Sequence, residues 1–388
     1  MCLVTKKELE CYHINSMIKV TYILSLIFKS LEYEWIVRYL DKSKIELSFV
    51  LLNPVKSELE EFLIDNDIEV TRITFKGKIS YPKALFQTYR ILRRINPDYI
   101  NCNLLDANLI GLTAGYFAGV KNRIHTRHHS TFHHVYFPKG KIYDYYSSFL
   151  STEIVAVSSL VKKVLVEKEG VLPVKVRVIP HGFGLEDFNS VSKDRVKHLK
   201  EKYNIGERSP IIGVISRYIE WKGVQYIVPA FKEVLINYPN AILLIANARQ
   251  GKNTANVIKL LKEIPAETYR EIEFESDIIA YYKLLDVFIH TPIDDHSEAF
   301  GRIYPESLAS GVPLVCTISG IAHDIIKHDY NALVVPHQNS HEIANAVNRI
   351  LSSESLRQNI SNNARETAKE YSDMKIQKRL LEDLYLGK

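Results

Sequence analysis

Cysteine is scarce in this chain, and the few it has lie apart. Cys2, Cys11, Cys102 and Cys316 are the four among 388 residues, and no CxxC pair occurs. A disulfide framework and a zinc ribbon are thereby disfavoured, and a reducing cytosol fits. Long apolar runs are missing too. No stretch reaches the ~18 apolar residues that span a bilayer, and a run such as Thr21–Phe28 has the length of a buried strand. Residues 1–16, MCLVTKKELECYHINS, are polar and mixed, unlike a secretory leader. Met17 directly precedes the first expected strand, so residues 1–16 are expected to be a frayed extension, or Met17 the true start. No G-x-G-x-x-G follows that strand, which counts against an NAD-dependent dehydrogenase.

What is present is globular. Hydrophobic residues make up 46% and charged residues 24%, enough for a sizeable core, and the length suits two or three domains of about 150 residues. The net charge of +5 is unevenly placed. Residues 1–180 hold 25 Lys+Arg against 18 Asp+Glu, and the remainder holds 25 against 27. A basic first half suits an anionic partner there, such as a membrane surface, nucleic acid or a phosphorylated substrate, and is equally the mark of an ordinary basic surface.

The hydrophobic pattern alternates strand and helix, twice. β-Branched runs at Ile18–Ile27, Ile45–Leu52, Ile68–Phe75, Asp98–Asn103, Asn122–Thr126, Glu153–Val157 and Lys175–Ile179 read as strands, with helices at Leu31–Leu40, Lys56–Ile64 and Pro82–Ile95. HGFGLEDFNS, residues 181–190, reads as a hinge or linker. The rhythm then restarts. Strands are expected at Pro210–Ser216, Ala241–Asn247, Glu271–Glu275, Asp286–Thr291, Val312–Thr317 and Ala332–Val335, and helices at Lys222–Asn237, His341–Leu351 and Glu354–Tyr371. The prediction is α/β, with two doubly wound sheets facing across a cleft that holds the ligand.

Two segments carry the densest chemistry. In SEAFGRIYPESLASGVP (297–313) a loop with Glu298, Phe300 and Gly301 leads into a helix expected to start near Arg302, and Glu306 lies eight positions after Glu298. The free amides and positive dipole end of such a helix suit a phosphate or a sugar oxygen. In GVISRYIEWKG (213–223), Arg217 and Lys222 bracket the loop after a strand, where a pyrophosphate would sit. Read alone, these residues are equally a loop carboxylate, a solvated helix glutamate and two surface cations.

Together, S-R-x(4)-K-G and E-x-F-G-x(4)-E-x-x-A-x-G-x-P resemble the donor-binding half of the retaining GT-B glycosyltransferases, family 4 (glycosyl transferases group 1). Weaker marks follow in order: AVSS (156–159), IPHGFGLEDF (179–188), with His181 where the family has Asn, and LLDVFIHTPIDDHSE (284–298). The resemblance covers residues 150–388 well and 17–150 mostly in rhythm. It implies two Rossmann-like units. Residues 17–183, completed by a C-terminal helix at 372–388, would form the acceptor side, and residues 184–371 would bind a nucleotide-sugar. Arg217 and Lys222 would hold its diphosphate, Glu298 the transferred sugar, Phe300 and Gly301 would offer amides beside sugar or phosphate, and Glu306 would bind the ribose. Transfer from a UDP- or GDP-sugar to a glycan or lipid-linked acceptor would keep the anomeric configuration, with no metal and no cofactor. The alternatives are a phosphorylase or small-molecule glycosyltransferase of the same fold, or a nucleotide-sugar binding module without turnover. Two departures stand out. The first loop, Phe28–Glu32, lacks the family's glycine pair, and Ser319–Asp324 has one glycine, with His323 where Glu is common.

RIHTRHHSTFHH (123–134) crowds five histidines at a strand end, yet no Cys, Asp or Glu completes a metal-ligand spacing, so no metal is assigned. Thr126-Arg127-His128 matches the family's strand-end T-x-H, which implies a place for His128 beside the donor sugar, with His129 adjacent. YPKALFQTYRILRR (81–94) interleaves Lys83, Arg90, Arg93 and Arg94 with aromatics, a pattern that suits an anionic membrane surface; Lys139, Lys141 and Tyr143–Tyr146 could extend it. No nucleic-acid motif accompanies it. The expected location is cytoplasmic, peripheral at the inner face of the membrane. Asp65-Asn66-Asp67 spells a DxD but falls at a helix-to-strand turn, where those residues serve local turns.

Overall fold

The computed structural model describes residues 17–387. The expectation for residues 1–16 lies outside them, as do Cys2 and Cys11. Among the described residues, thirteen strands form two sheets. The first contains β1 (Ile18–Ser25), β2 (Ile45–Asn53), β3 (Glu69–Thr74), β4 (Tyr99–Asn103), β5 (Asn122–Arg127), β6 (Glu153–Ala156) and β7 (Val176–Val178), in the order β3-β2-β1-β4-β5-β6-β7. The second contains β8 (Ile211–Ile215), β9 (Ile242–Ala246), β10 (Tyr269–Ile272), β11 (Val287–His290), β12 (Leu314–Cys316) and β13 (Leu333–Val334), in the order β10-β9-β8-β11-β12-β13. Every pairing is parallel, with Ile18 opposite Ile45 in one sheet and Ile211 opposite Ile242 in the other.

Parallel strands need crossovers, and the crossovers put helices on both faces. That is why β8 and β9 are buried along their whole length. The topology also fixes where a ligand belongs. Each sheet grows outward from its first strand and then reverses, between β1 and β4 and between β8 and β11. Loops diverge at such a switch point and leave a crevice at the carboxyl ends of the strands.

The expected strands and helices are present with shifted or trimmed ends, β10 beginning at Tyr269 rather than Glu271, and the structure adds helices that the pattern did not mark, among them Leu105–Ala118, Lys141–Leu150 and Lys193–Lys202. The helix expected from Lys222 starts at Val224, because Gly223 (φ 76°) turns left-handed in front of it. The linker reading of 181–190 needs correction. The segment is not an exposed tether. Phe183 is fully buried, its ring 5.6 Å from Trp35 and 6.4 Å from Phe300, and Leu185–Asn189 is helical. Glycine is needed at position 182 for closeness: a Cβ there would lie 2.7 Å from the Met374 Cα. One apolar cluster thus runs without a break from Tyr22 and Trp35 through Phe183 to Phe300 and Tyr304. Asp67 occupies a left-handed turn position (φ 58°), and Asn66 Nδ2 donates to Phe62 O, as a turn requires. Cys102 and Cys316 are buried free thiols in different sheets. Among the described residues no helix is long and apolar enough to cross a membrane.

The last helix, Met374–Tyr385, lies against the first sheet. Tyr385 Oη bonds Tyr22 Oη at 2.8 Å and accepts from Asn101 Nδ2 at 3.0 Å, all three side chains buried. Gln377 accepts from the Gly182 amide at 2.8 Å. Tyr385→Phe keeps the ring and leaves the Asn101 amide without that acceptor. The expected cost is about 1–3 kcal/mol of stability, read as a lower urea midpoint; an unchanged midpoint would show that the hydroxyl does not hold this helix down.

Candidate functional site

The second sheet's switch point brings together Lys222 and Glu298, two of the charged residues that the sequence singled out. β8 ends at Ile215, and the loop behind it carries Arg217 and a short 3₁₀ turn, Glu220–Lys222. Gly223 sets that turn against β11: a Cβ there would sit 1.8 Å from the Thr291 carbonyl oxygen. No other residue allows this approach, and it delivers the Lys222 Nζ to 2.5 Å from Glu298 Oε1. Arg217 is exposed, with no side-chain partner among the described residues.

Glu298 is held from several sides. Its amide donates to Ser319 Oγ at 3.0 Å, and His290 Nε2, at the end of β11, lies 3.3 Å from Oε1. Burial would raise its carboxyl pKa. The Lys222 ammonium and the hydrogen bond from His290 outweigh burial and hold it at about 2. His290 itself is buried against Tyr304 and is pushed down by that burial, so it faces Glu298 as a neutral ring. Glu306 sits in the helix Ile303–Ser310, away from this group. Tyr282 Oη donates to it at 3.1 Å and Arg302 Nε lies at 3.5 Å, yet burial leaves its pKa raised. Two carboxylates eight residues apart therefore have opposite environments, a common mark of divided roles.

Between them runs the turn Phe300–Arg302. Gly301 (φ 76°) packs on Tyr304, where a Cβ would meet the ring at 2.9 Å. The amides of Phe300, Gly301 and Arg302 find no acceptor among the described residues. They stand at the start of the helix, where backbone N–H groups and the dipole both favour an anion or a hydroxyl oxygen.

The first sheet closes over this group. Ser130 Oγ donates to His296 O at 2.8 Å, and Ser158 Oγ to Ala299 O at 2.6 Å. His128, after β5, lies on His181 with ring centroids 5.4 Å apart and planes 9° from parallel. His181 meets the Phe300 ring edge-on at 4.7 Å. The glycine-free first loop brings Glu32 here, its Oε1 2.7 Å from His181 Nδ1 and its Oε2 3.5 Å from Arg302 Nη1. Burial opposes ionisation of Glu32, but His181, His128 and Arg302 bring its pKa down to about 2. Burial lowers His128 to about 4, so its ring is neutral at pH 7. The Arg302 guanidinium spans the sheets in a second way, 4.9 Å above the Phe183 ring.

The sequence holds no site signal for Glu32, His290 or Arg302. Glu32 ends the stretch that lacks the family's glycine pair, and Arg302 marks only the expected helix start. His290 carried no pattern, since its position is fixed by strand order alone. The histidine-rich segment divides. His129 and His133 turn away from His128 to Asp144, at 3.1 and 2.7 Å. Asp144 comes from the helix Lys141–Leu150, which no local spacing could reveal. Both its oxygens also meet the buried Arg127 guanidinium, which reaches Glu169 as well. Arg127 supplies the cation that a buried acid requires.

Two family models match this chain, one on each sheet: Glycosyltransferase Family 4 over residues 36–187 and Glycosyl transferases group 1 over residues 196–367. The capsular polysaccharide biosynthesis glycosyltransferase CapM of Staphylococcus aureus is 25% identical over 313 residues, 78% of this chain and 80% of that protein. The UDP-Gal:alpha-D-GlcNAc-diphosphoundecaprenol alpha-1,3-galactosyltransferase of Escherichia coli is 22% identical over 278 residues, 69% and 70% of the two chains. Other curated relatives align over little more than half of their own length. Among solved structures, Anabaena Alr3699/HepE in complex with UDP-glucose superposes with a TM-score of 0.80 at 17% identity, covering 95% of this chain and all of that one. The chain belongs to the GT-B glycosyltransferases of family 4, and it is a sugar-transferring enzyme.

The buried Glu298 has a pH consequence. Its carboxyl is held below the unfolded value of about 4.3. The Lys222 contact therefore stabilises the fold above that value, and the contribution is lost as pH falls toward about 2. Urea midpoints of Glu298→Gln should decline less steeply than those of the parent between pH about 5 and 2. Parallel curves would contradict the ionised, paired carboxylate.

Proposed function

We propose that this enzyme moves a hexosyl group from a UDP- or GDP-sugar to a glycan or lipid-linked acceptor in cell-envelope polysaccharide or glycolipid synthesis, keeping the anomeric configuration. The observation that carries this reading is the Lys222–Glu298 pair at the second sheet's switch point, beside unbonded helix-start amides. In this reading residues 184–371 form the donor side, and residues 17–183 with the helix at 372–388 the acceptor side, next to an anionic membrane surface met by the basic helix Tyr81–Ile95.

The steps follow from charge. An arriving diphosphate draws Lys222 and Arg217 onto its oxygens, and the amides of Phe300 and Gly301 face it or the sugar. Lys222 thereby leaves Glu298, whose carboxylate stays ionised and accepts from sugar hydroxyls. Glu306, steadied by Tyr282 and Arg302, accepts from the ribose. His128 directs Nε2 at Asn103 Oδ1, 2.8 Å away. That bond takes the ring proton, so Nδ1 is left as an acceptor for a sugar hydroxyl. The bond from the anomeric carbon to the diphosphate breaks, and the acceptor oxygen joins that carbon on the same face. Its proton passes to the departing diphosphate oxygen. Fixed cations and helix dipole stabilise the leaving charge, so this scheme calls for no metal.

The test is nucleotide diphosphate release from a panel of UDP- and GDP-hexoses in the presence of a chelator. Turnover is expected with at least one donor, and Glu298→Ala should lower kcat about a hundredfold. Lys222→Ala should weaken donor binding as well as turnover. Full activity of Glu298→Ala would refute its role at the sugar, and turnover restored only by divalent metal would refute the metal-free scheme.

A further inference from the structure

The helix Lys141–Leu150 is inside out. Its residues Asp144, Ser147 and Ser148 are buried, whereas Ile142, Tyr145, Tyr146 and Phe149 face solvent at i, i+3, i+4 and i+7. A helix packed on a core shows the reverse. The inversion is enforced from within, because Asp144 is held by Arg127, His129 and His133. Phe149 is 82% exposed and Ile142 68%, which is a costly display unless something apolar covers them.

The neighbouring helices continue this face. Tyr146 Oη bonds Thr113 Oγ1 of the helix Leu105–Ala118 at 2.9 Å, and on that helix Phe117 is 69% exposed. Phe117 in turn shares a groove with Phe86 and Tyr89 of the helix Tyr81–Ile95. Charge says what the cover is. Residues 76–94, 105–118 and 132–150 hold eight Lys+Arg and two acids, Asp106, which accepts from Tyr81 Oη, and the buried Asp144. A second copy placed symmetrically on this face would set cation against cation. An anionic bilayer satisfies both the aromatics and the cations.

The face also leads to the cleft. A groove lined by Lys78, Tyr81, Leu105, Asp106, Leu109, Phe137 and Tyr143 lies beside it, with Asp106 accepting from Tyr81 Oη. One residue before Phe137, the Tyr136 ring lies 4.6 Å from Trp221, which adjoins Lys222. The groove and the Tyr136–Trp221 contact together link the exposed helices to the loop that carries the donor-side lysine.

We propose that the helices Tyr81–Ile95, Leu105–Ala118 and Lys141–Leu150 form one docking face for an anionic lipid bilayer, and that the groove at Phe137 and Tyr143 receives the apolar chain of a lipid-linked acceptor. This rests on the glycosyltransferase reading only for the acceptor, not for docking. The test is cosedimentation of the full-length chain with vesicles of phosphatidylcholine, alone or with about a third phosphatidylglycerol. Binding to the anionic vesicles only is expected. A Phe117→Ser/Phe149→Ser variant and a Lys83→Glu/Arg90→Glu variant should each bind about tenfold more weakly while keeping donor hydrolysis in solution. Tyr143→Ala should lower turnover with a membrane-bound lipid-linked acceptor and leave vesicle binding intact; equal turnover would overturn the groove. Absence of vesicle binding by the parent chain overturns the docking face. So does a solution dimer that Phe117→Ser/Phe149→Ser dissociates, which would assign the face to self-association. Vesicle binding without turnover on any donor would instead sink the enzymatic reading and leave docking standing.

Discussion

A lysine ammonium and a buried carboxylate, 2.5 Å apart where two strands diverge, hold the candidate site together. Each would be costly alone in that environment. Gly223 makes the meeting geometrically open, His290 and Ser319 steady the acid, and Ser130 and Ser158 fasten its loop from the opposite sheet. The pair is also poised for exchange. A ligand that brings more negative charge than Glu298 competes for Lys222 and releases an ionised acceptor beside it. In the proposed reading, binding of the donor and readiness of the sugar contact are then one event.

The first sheet answers with a compensating arrangement. The family's glycine pair is replaced by a loop that brings Glu32 into the crevice, and Glu32 meets His181 and Arg302. Arg302 in turn approaches Glu306, so an acid of each sheet shares one guanidinium. The two halves are joined by charge at the same edge where Trp35, Phe183 and Phe300 join them by packing. The departure from the family pattern thus has its own local chemistry.

Much of this was legible in the sequence because parallel, doubly buried strands write themselves as continuous β-branched runs. Arg217, Lys222, Glu298 and Glu306 were marked by the family resemblance rather than by spacing alone, and of these the structure brings Lys222 and Glu298 into contact. Other features depend on partners distant in sequence. His290 reaches Glu298 only through strand order, and Asp144 reaches His129 and His133 only because a helix folds back. The segment 181–190 looked like a tether for its glycines, but those glycines permit close packing against Met374 and Trp35. The inverted helix Lys141–Leu150 was unreadable as such, since periodicity says which residues share a face and not which face meets water.

The most direct measurement is a crystal structure of the enzyme with UDP or GDP bound. The account places the diphosphate within hydrogen-bonding distance of Lys222 Nζ and Arg217, with Lys222 withdrawn from Glu298 and the ribose against Glu306. A nucleotide bound away from that switch point, with the Lys222–Glu298 contact undisturbed, would contradict it.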